Sequence, residues 1–423
     1  MSNDKDTTLA SLCSNATNQD GDDFVGLSYI WDEIQKKYIV KVKFPLGYRI
    51  SEDDISIRQE ILQLMSVLRD YGDMHSSLPN FTQDSSTKYN SFPINAYRVL
   101  IYDYLNRGGY YQEYEEIYVS RSSGKVNWNR TIRKERPMVQ KSGVAYLTMQ
   151  VRKNNFTDKN LITEISQYCV YESFLKLGWL YNLKLPPKPS LVFNKTRYII
   201  ALNTKLLSVN QDSDKKLFQS MLDIISSSDR PTKQNEPLHF GTHNFEYIWE
   251  NIIEEVFGNM DKKRYFPKAR WELYFGNDTD SSKLKPDTIM RKDNIFVLDA
   301  KYYQYGETAD EKRHLPYSSD INKQITYGEH IANHECNTDL KVFNAFLMPF
   351  RKNHPIFSTD KDYLLIGTTK ANWKADAYSY ESVKGILVDT KHLMSIKSSL
   401  HDYEKDKLSQ VIEQGSYERI AGK

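Results

Sequence analysis

The chain has 423 residues, of which 39% are hydrophobic and 26% charged, and 57 Lys and Arg stand against 55 Asp and Glu for a formal charge of +2. At about 150 residues per domain this length predicts two or three domains, and a 13% aromatic share, with thirty tyrosines, supplies the bulk for their cores. A uniformly basic coat is excluded, while a local nucleic-acid surface is not, and the absence of any apolar run of about 18 residues excludes a transmembrane helix.

Residues 1–23 hold one Lys against five Asp and lack periodicity, a basic n-region and an apolar h-region. They read as a disordered acidic tail with no secretory signal. The three cysteines, Cys13, Cys169 and Cys336, have no CxxC spacing. Neither a disulfide framework nor a zinc knuckle is expected, and a cytoplasmic location fits.

Order is expected from Phe24. Val40 to Phe44 alternates apolar and polar as a strand does, until Pro45 and Gly47 break it. Ile55 to Leu68 has helical spacing, and residues 72–92 are turn-rich. Ile94 to Leu105 reads as a helix ended by Gly108-Gly109. Further helices are expected over Leu161–Leu183 and Tyr198–Ser228, separated by the prolines of LKLPPKPSLVF, and a linker over 229–241. Residues 24–230 are thus expected to form an α+β N-terminal domain for DNA recognition or partner docking. Between Ser120 and Asn155 nine basic residues face one acid, Glu135. Lys125, Arg130, Arg133, Lys134 and Arg136 are the candidates for DNA phosphates, with Trp128, Asn127 and Asn129 available to bases. The same run also reads as a solvated hairpin face that meets a partner subunit.

The rhythm changes over 236–423. A helix at Asn244–Phe257 precedes strands WELYFG, TIMRK and IFVLDAKYY, then a helix around Ile321–Ile331. Strands KVFNAFLMPF, YLLIGTTK and GILVDT and a charged helix near Leu393–Glu413 complete the chain. Alternating elements around a fully apolar strand predict an α/β domain with a mixed sheet flanked by helices.

The chemistry concentrates in residues 281–306. Pro286-Asp287 precedes one short strand, and Asp299-Ala300-Lys301 closes a second. A turn at Arg291–Asn294 would bring Asp287 and Asp299 to neighbouring positions, and alternation puts Asp299 and Lys301 on one face. Two converging carboxylates repel and call for a cation. Mg²⁺ takes oxygen ligands of this kind together with substrate phosphate, and an adjacent ammonium stabilises developing phosphate charge. Asp287, Asp299 and Lys301 are therefore candidate catalytic residues for phosphodiester hydrolysis. In the helix ahead, Glu246, Glu250 and Glu254 line up at i, i+4 and i+8; the same three also fit a solvated helix face.

PD, a spacer, and an apolar strand ending in D-x-K resemble the PD-(D/E)xK nuclease superfamily. That resemblance implies a restriction-endonuclease-like core, Mg²⁺ as cofactor, and a glutamate of the preceding helix at the metal, here Glu250 ahead of Glu246, beside Asp287 and Asp299. It also makes Gln324, in DINKQITYGEHI, a possible site member. With FPLGY and GKVNWNRTI in the N-terminal half, the chain is similar to LlaJI-type restriction endonucleases, which resemble McrC. This likeness implies type II cleavage of unmodified double-stranded DNA, an McrB-like GTPase subunit, and a cognate DNA methyltransferase. The chain itself has no GxxxxGK[ST] loop. Two other readings stay open: a repair or transposition nuclease, and a non-catalytic DNA-binding or assembly subunit on a nuclease fold. His330 and His334 are four apart but lack the glutamate of a zinc HExxH helix, so zinc is not expected.

Overall fold

The computed structural model describes residues 8–19, 21–32, 37–72, 93–141, 143–156, 160–227, 238–281, 283–308, 314–335, 339–375 and 377–413. The first seven residues, all but Gly72 of the expected loop over 72–92, most of the expected linker and Cys336 lie outside the described residues.

The chain forms two compact units, residues 1–89 together with 235–423, and residues 90–234. In the first unit β1 (Cys13–Asn15), β2 (Val25–Asp32) and β3 (Lys37–Phe44) precede α1 (Asp54–Gly72). The second unit contains α2 (Ile94–Arg107), β4 (Tyr114–Arg121), α3 (Trp128–Lys134), β5 (Met138–Gln140), β6 (Gly143–Ala145) and β7 (Met149–Phe156). Helices α4 (Leu161–Leu177), α5 (Lys195–Ser208) and α6 (Asp212–Ser227) complete it. The chain returns to the first unit with β8 (Leu238–Thr242), α7 (Phe245–Phe257), β9 (Arg270–Trp271), β10 (Thr279–Asp280), β11 (Thr288–Arg291) and β12 (Ile295–Ala300). Then come α8 (Tyr305–Thr308), α9 (Ser318–Glu335), β13 (Val342–Phe350), β14 (Tyr363–Lys370), β15 (Ser382–Asp389), α10 (Thr390–Ser395) and α11 (His401–Glu413).

This division differs from the boundaries at 24–230 and 236–423 read from composition. Strand β2 is the reason: it pairs antiparallel with β3 on one side and with β8 on the other, joining residues 25–44 to 238–242 in one sheet. The acidic stretch before Phe24 is not wholly a tail either. Leu9–Leu12 forms a 3₁₀ turn, and β1 pairs in parallel with Val42–Phe44 of β3. Composition reports local propensity and carries no sign of this non-local edge partner.

The central sheet of the first unit has the order β11-β12-β13-β15-β14, with β12, β13 and β15 parallel and the outer strands antiparallel. Ile295 to Leu298 are all fully buried, so β12 is covered on both faces, which is why its sequence is a continuous apolar run rather than an alternating one. Tyr327 and Ile331 of α9 pack on Ile289, Ile295 and Val297, and Ile325 packs on Phe346 and Val383. Helix α7 buries Phe245, Ile248, Trp249, Ile252 and Val256 as one stripe, and the Trp249 indole donates to the Leu347 carbonyl at 3.2 Å. The expected strands KVFNAFLMPF, YLLIGTTK and GILVDT are present as β13, β14 and β15, the last beginning three residues earlier at Ser382. WELYFG differs: only its Trp271 is strand, as the end of β9, which pairs with Thr279–Asp280.

The second unit is α+β. Helices α2, α4, α5 and α6 pack together, and Gly108, at φ +68°, caps α2 in the left-handed region as its sequence position suggests. The expected helix over 198–228 is divided into α5 and α6. Strands β4 and β7 form an eight-residue antiparallel ribbon against which α3 rests, its Thr131 hydroxyl accepting from the Gln150 N–H at 2.9 Å.

Candidate active site

The site begins with a hairpin. Thr288 of β11 stands opposite Leu298 of β12, so continuing the ladder sets Asp287 opposite Asp299. Asp287 accepts from the Ala300 N–H at 3.1 Å, which locks its carboxylate across the strand pair. Asp299 is buried and forms a 2.8 Å ion pair with Lys301, two residues on and on the same face. The ammonium also lies 3.3 Å from Asp320, in the first turn of α9. Burial opposes the charge on Lys301, but Asp299 and Asp320 outweigh it and raise its proton affinity above the ordinary lysine value.

Asp287 behaves in the opposite sense to a surface aspartate. Burial first, then the negative charges of Asp299 and Glu250, push its pKa up to about 8, against the pull of the Ala300 N–H and Lys301. The three glutamates of the i, i+4, i+8 ladder on α7 therefore have separate fates. Glu250 acts on Asp287, Glu246 has its own pKa raised by burial and by Asp23, and Glu254 pairs with Lys262 at 3.4 Å.

Helix α9 braces both arms of the hairpin. The buried Gln324 amide donates to the Val297 carbonyl at 2.7 Å, and the Tyr327 hydroxyl donates to the Lys285 carbonyl at 2.9 Å. Gln324 thus holds strand backbone and is not among the residues lining the cleft, whereas its neighbour Lys323 is. Burial opposes the Lys323 charge, while Tyr327, Asp299 and Asp287 favour it and raise its pKa.

These groups open into a cleft of about 520 Å³. Its far wall comes from the N-terminal stretch. Asn18 donates to the Tyr302 carbonyl at 2.9 Å, Gln304 donates to the Thr17 carbonyl at 2.6 Å, and Asp23 meets His243 at 2.6 Å. Just beyond, the buried Tyr302 hydroxyl accepts from the Leu46 N–H at 2.7 Å, and the Thr390 hydroxyl donates to the Leu46 carbonyl at 2.9 Å. This fixes the turn of FPLGY against the central sheet. Gly47 sits there at φ +71°, where a Cβ would come within 2.8 Å of the Phe350 backbone nitrogen.

Among the described residues no group of three or more His, Cys, Asp and Glu side chains forms a ready-made metal centre. Mg²⁺ needs less: one or two carboxylates, with water and substrate phosphate completing its shell. Asp287 and Asp299 are hard oxygen donors held side by side, with a charge repulsion that a cation would relieve, and they fit that requirement.

The sequence profile of the LlaJI restriction endonuclease family matches residues 30–371. The chain belongs to that family. It is 22% identical over 280 residues to the type II restriction enzyme BsuMI component YdjA of Bacillus subtilis (strain 168), a match covering 60% of this chain and 59% of the relative. The match thus spans about three fifths of that relative's length. Among solved structures, a chain of the half-complex of Thermococcus gammatolerans McrB AAA+ hexamers with bound McrC aligns over 92% of this chain and 83% of its own, at 14% identity and a TM-score of 0.39. A second match, the Thermococcus gammatolerans McrBC complex, covers 57% of this chain and 68% of that one, at 14% identity and a TM-score of 0.24. Membership in the LlaJI family makes this a restriction-system component. No helix among the described residues is long and apolar enough to cross a membrane.

In this LlaJI-family chain Asp287, Asp299 and Lys301 come together, with Glu250 acting on them. Lys125, Arg130, Arg133, Lys134 and Arg136 belong to the second unit and are all exposed. The one acid among them, Glu135, is tied down by Ser120, Thr148 and Gln150. Sequence reasoning missed Asp320, Asn18 and Asp23. An Asp at the first turn of the helix after D-x-K was a usable signal for Asp320; nothing local marked the other two.

Proposed function

We propose that the chain is the Mg²⁺-dependent, PD-(D/E)xK-type nuclease component of a type II restriction enzyme and hydrolyses unmodified double-stranded DNA. The supporting observation is the Asp287–Asp299 pair with Lys301 at its side, in which one carboxyl holds its proton to about pH 8. In this reading Asp287 and Asp299, with Glu250 behind them, would hold the cation. When bound, Mg²⁺ lowers the pKa of a coordinated water and shields phosphate charge. Lys301, held between Asp299 and Asp320, would supply the ammonium that stabilises the charge building on the reacting phosphate. The hydrogen bond from Ala300 and the α9 braces hold this geometry before substrate arrives.

The test is plasmid cleavage by the assembled enzyme carrying Asp287→Ala or Lys301→Ala. Losing one charge-stabilising group costs about 10²–10³ in rate. Cleavage that survives both substitutions, in folded protein that still binds DNA, refutes the proposal.

The relative's name, a component, supports working within a larger enzyme. We include in the proposal an McrB-like GTPase subunit and a methyltransferase protecting the host DNA. The basic residues of the second unit fit phosphate contact. One observation favours docking to a partner subunit instead: exposed Trp128, Ile132, Val139, Val144 and Leu147 lie among them, an apolar surface that DNA phosphates would not cover. Charge reversal at Arg133 and Arg136 separates the two by whether DNA affinity or subunit assembly is lost.

A further inference from the structure

The segment between α7 and β11 carries an unusual surface. WELYFG has the composition of a core strand, yet Trp271 is 63% exposed, Phe275 94% and Tyr274 100%. Tyr274 and Phe275 lie at the tip of the β9–β10 hairpin, and Trp271 lies in β9 itself. The hairpin is nonetheless built to hold a shape. Asp278 accepts from the Leu273 N–H at 3.2 Å and pairs with Arg270 at 3.4 Å, clipping the tip. Backbone bonds from Ser281 to Ala269 and from Leu284 to Pro267, at 2.7 and 3.1 Å, close the stalk.

The foot of this hairpin is the entry to the candidate site. Leu284 is three residues before Asp287. The Tyr327 hydroxyl holds the Lys285 carbonyl, and the Lys262 ammonium donates to the carbonyl of Asp287 itself. Residues 262–285 include seven basic and three acidic residues, and Lys263, Lys268, Lys283 and Lys285 are exposed. Aromatic side chains held in water above a basic stalk match the chemistry of a nucleic acid, whose phosphates meet the lysines while its bases accept an aromatic face or edge. The collar is lysine, which is depleted at protein–protein interfaces, so its chemistry favours phosphate over a protein partner.

We infer that the β9–β10 hairpin is a DNA-contacting element in which Tyr274 and Phe275 engage bases beside the scissile phosphate while the flanking lysines hold the backbone. The inference rests on the nuclease reading for the word scissile, and on its own geometry for DNA. Such contacts unstack a base step or support one already opened, and they would couple duplex distortion to the neighbouring Asp287.

The test uses the full chain and a fluorescein-labelled linear duplex, in Ca²⁺ to suppress cleavage. Tyr274→Ala with Phe275→Ala is expected to weaken binding about 30-fold or more, each base-stacking aromatic contributing about fivefold or more. The thermal midpoint should not move, because both side chains are exposed. Phe275→Trp should keep the affinity, and Leu207→Ala, removing an equally exposed apolar side chain of the second unit, should leave it unchanged. Affinity of the double variant within about twofold of wild type overturns the inference; if that variant instead fails to assemble with its partner subunits, the hairpin's occupant is protein. A wild-type chain that does not bind the duplex overturns it as well. Asp287→Ala, assayed alongside for cleavage, keeps the two readings apart. Cleavage abolished there and undiminished in the hairpin variant leaves the nuclease reading standing and removes this one.

Discussion

Replacing Asp287 with Asn should make the metal-free chain more stable, and by more as the pH rises. The carboxyl has an ordinary pKa of 3.8 and is raised to about 8 in the fold by burial, Asp299 and Glu250. Below pH 3.8 both folded and unfolded chains hold the proton, and no penalty exists. Between 3.8 and 8 the unfolded chain has released it while the folded one retains it, so stability falls with pH at about 1.4 kcal/mol per unit. Above 8 the penalty is complete. From pH 5 to pH 8 the wild type therefore loses up to about 4 kcal/mol through this group, and about 2 kcal/mol if water entering the cleft screens half the effect. Asn does not titrate, so the gap between variant and wild type reports the Asp287 titration together with its coupling to the neighbouring acids. Urea unfolding in EDTA at pH 5, 6.5 and 8 reads it directly. Mg²⁺ at pH 8 should then raise the wild type and not the variant. A gap that is flat across pH, or an Asn variant less stable than wild type at pH 8, refutes the reading of a cation-seeking pair.

Three further outcomes are expected. Glu250→Gln should reduce Mg²⁺-dependent cleavage by about 10²-fold or more, whereas Glu246→Gln should have a much smaller effect, because the Glu250 charge bears on Asp287 while Glu246 answers to burial and Asp23; equal losses would contradict this. Gly47→Ala should destabilise the first unit by about 2–4 kcal/mol, combining a left-handed backbone penalty with overpacking against Phe350, and a thermal melt within a degree or so of wild type would count against the turn's fit. Gln324→Ala should cost about 1–3 kcal/mol of stability by stripping the Val297 carbonyl of its donor, measured by urea unfolding, with DNA affinity unchanged.

The core of the site was legible because it is local. Asp287 and Asp299 are joined by one short turn, and strand alternation alone puts Lys301 beside Asp299. The glutamate ladder of α7 was legible as a ladder. Which rung acts on Asp287 depends on the rotation of the helix, which the burial of Trp249 and Phe245 sets. Gln324 illustrates a different limit, since an amide bound to a carbonyl and an amide bound to a ligand look alike in sequence. The cleft wall could not be foreseen. Asn18 reaches Tyr302, and Leu46 lies between Tyr302 and Thr390, through contacts separated by hundreds of residues. WELYFG misled for the converse reason: an apolar run announces burial, and here the tip of the run stays in water.

The pairing of β2 with β8 has a practical consequence for dissecting the molecule. A fragment cut at residue 236 would begin with a bare strand edge, an unanswered Tyr302 hydroxyl and no wall opposite Lys301, and would aggregate or unfold before its chemistry could be assayed. The sensible dissection is an excision rather than a truncation: remove residues 90–234 and splice the flanking segments with a short linker. Carried out that way, the half that carries the candidate site keeps its complete sheet, and the excised half can be expressed separately and asked what it binds.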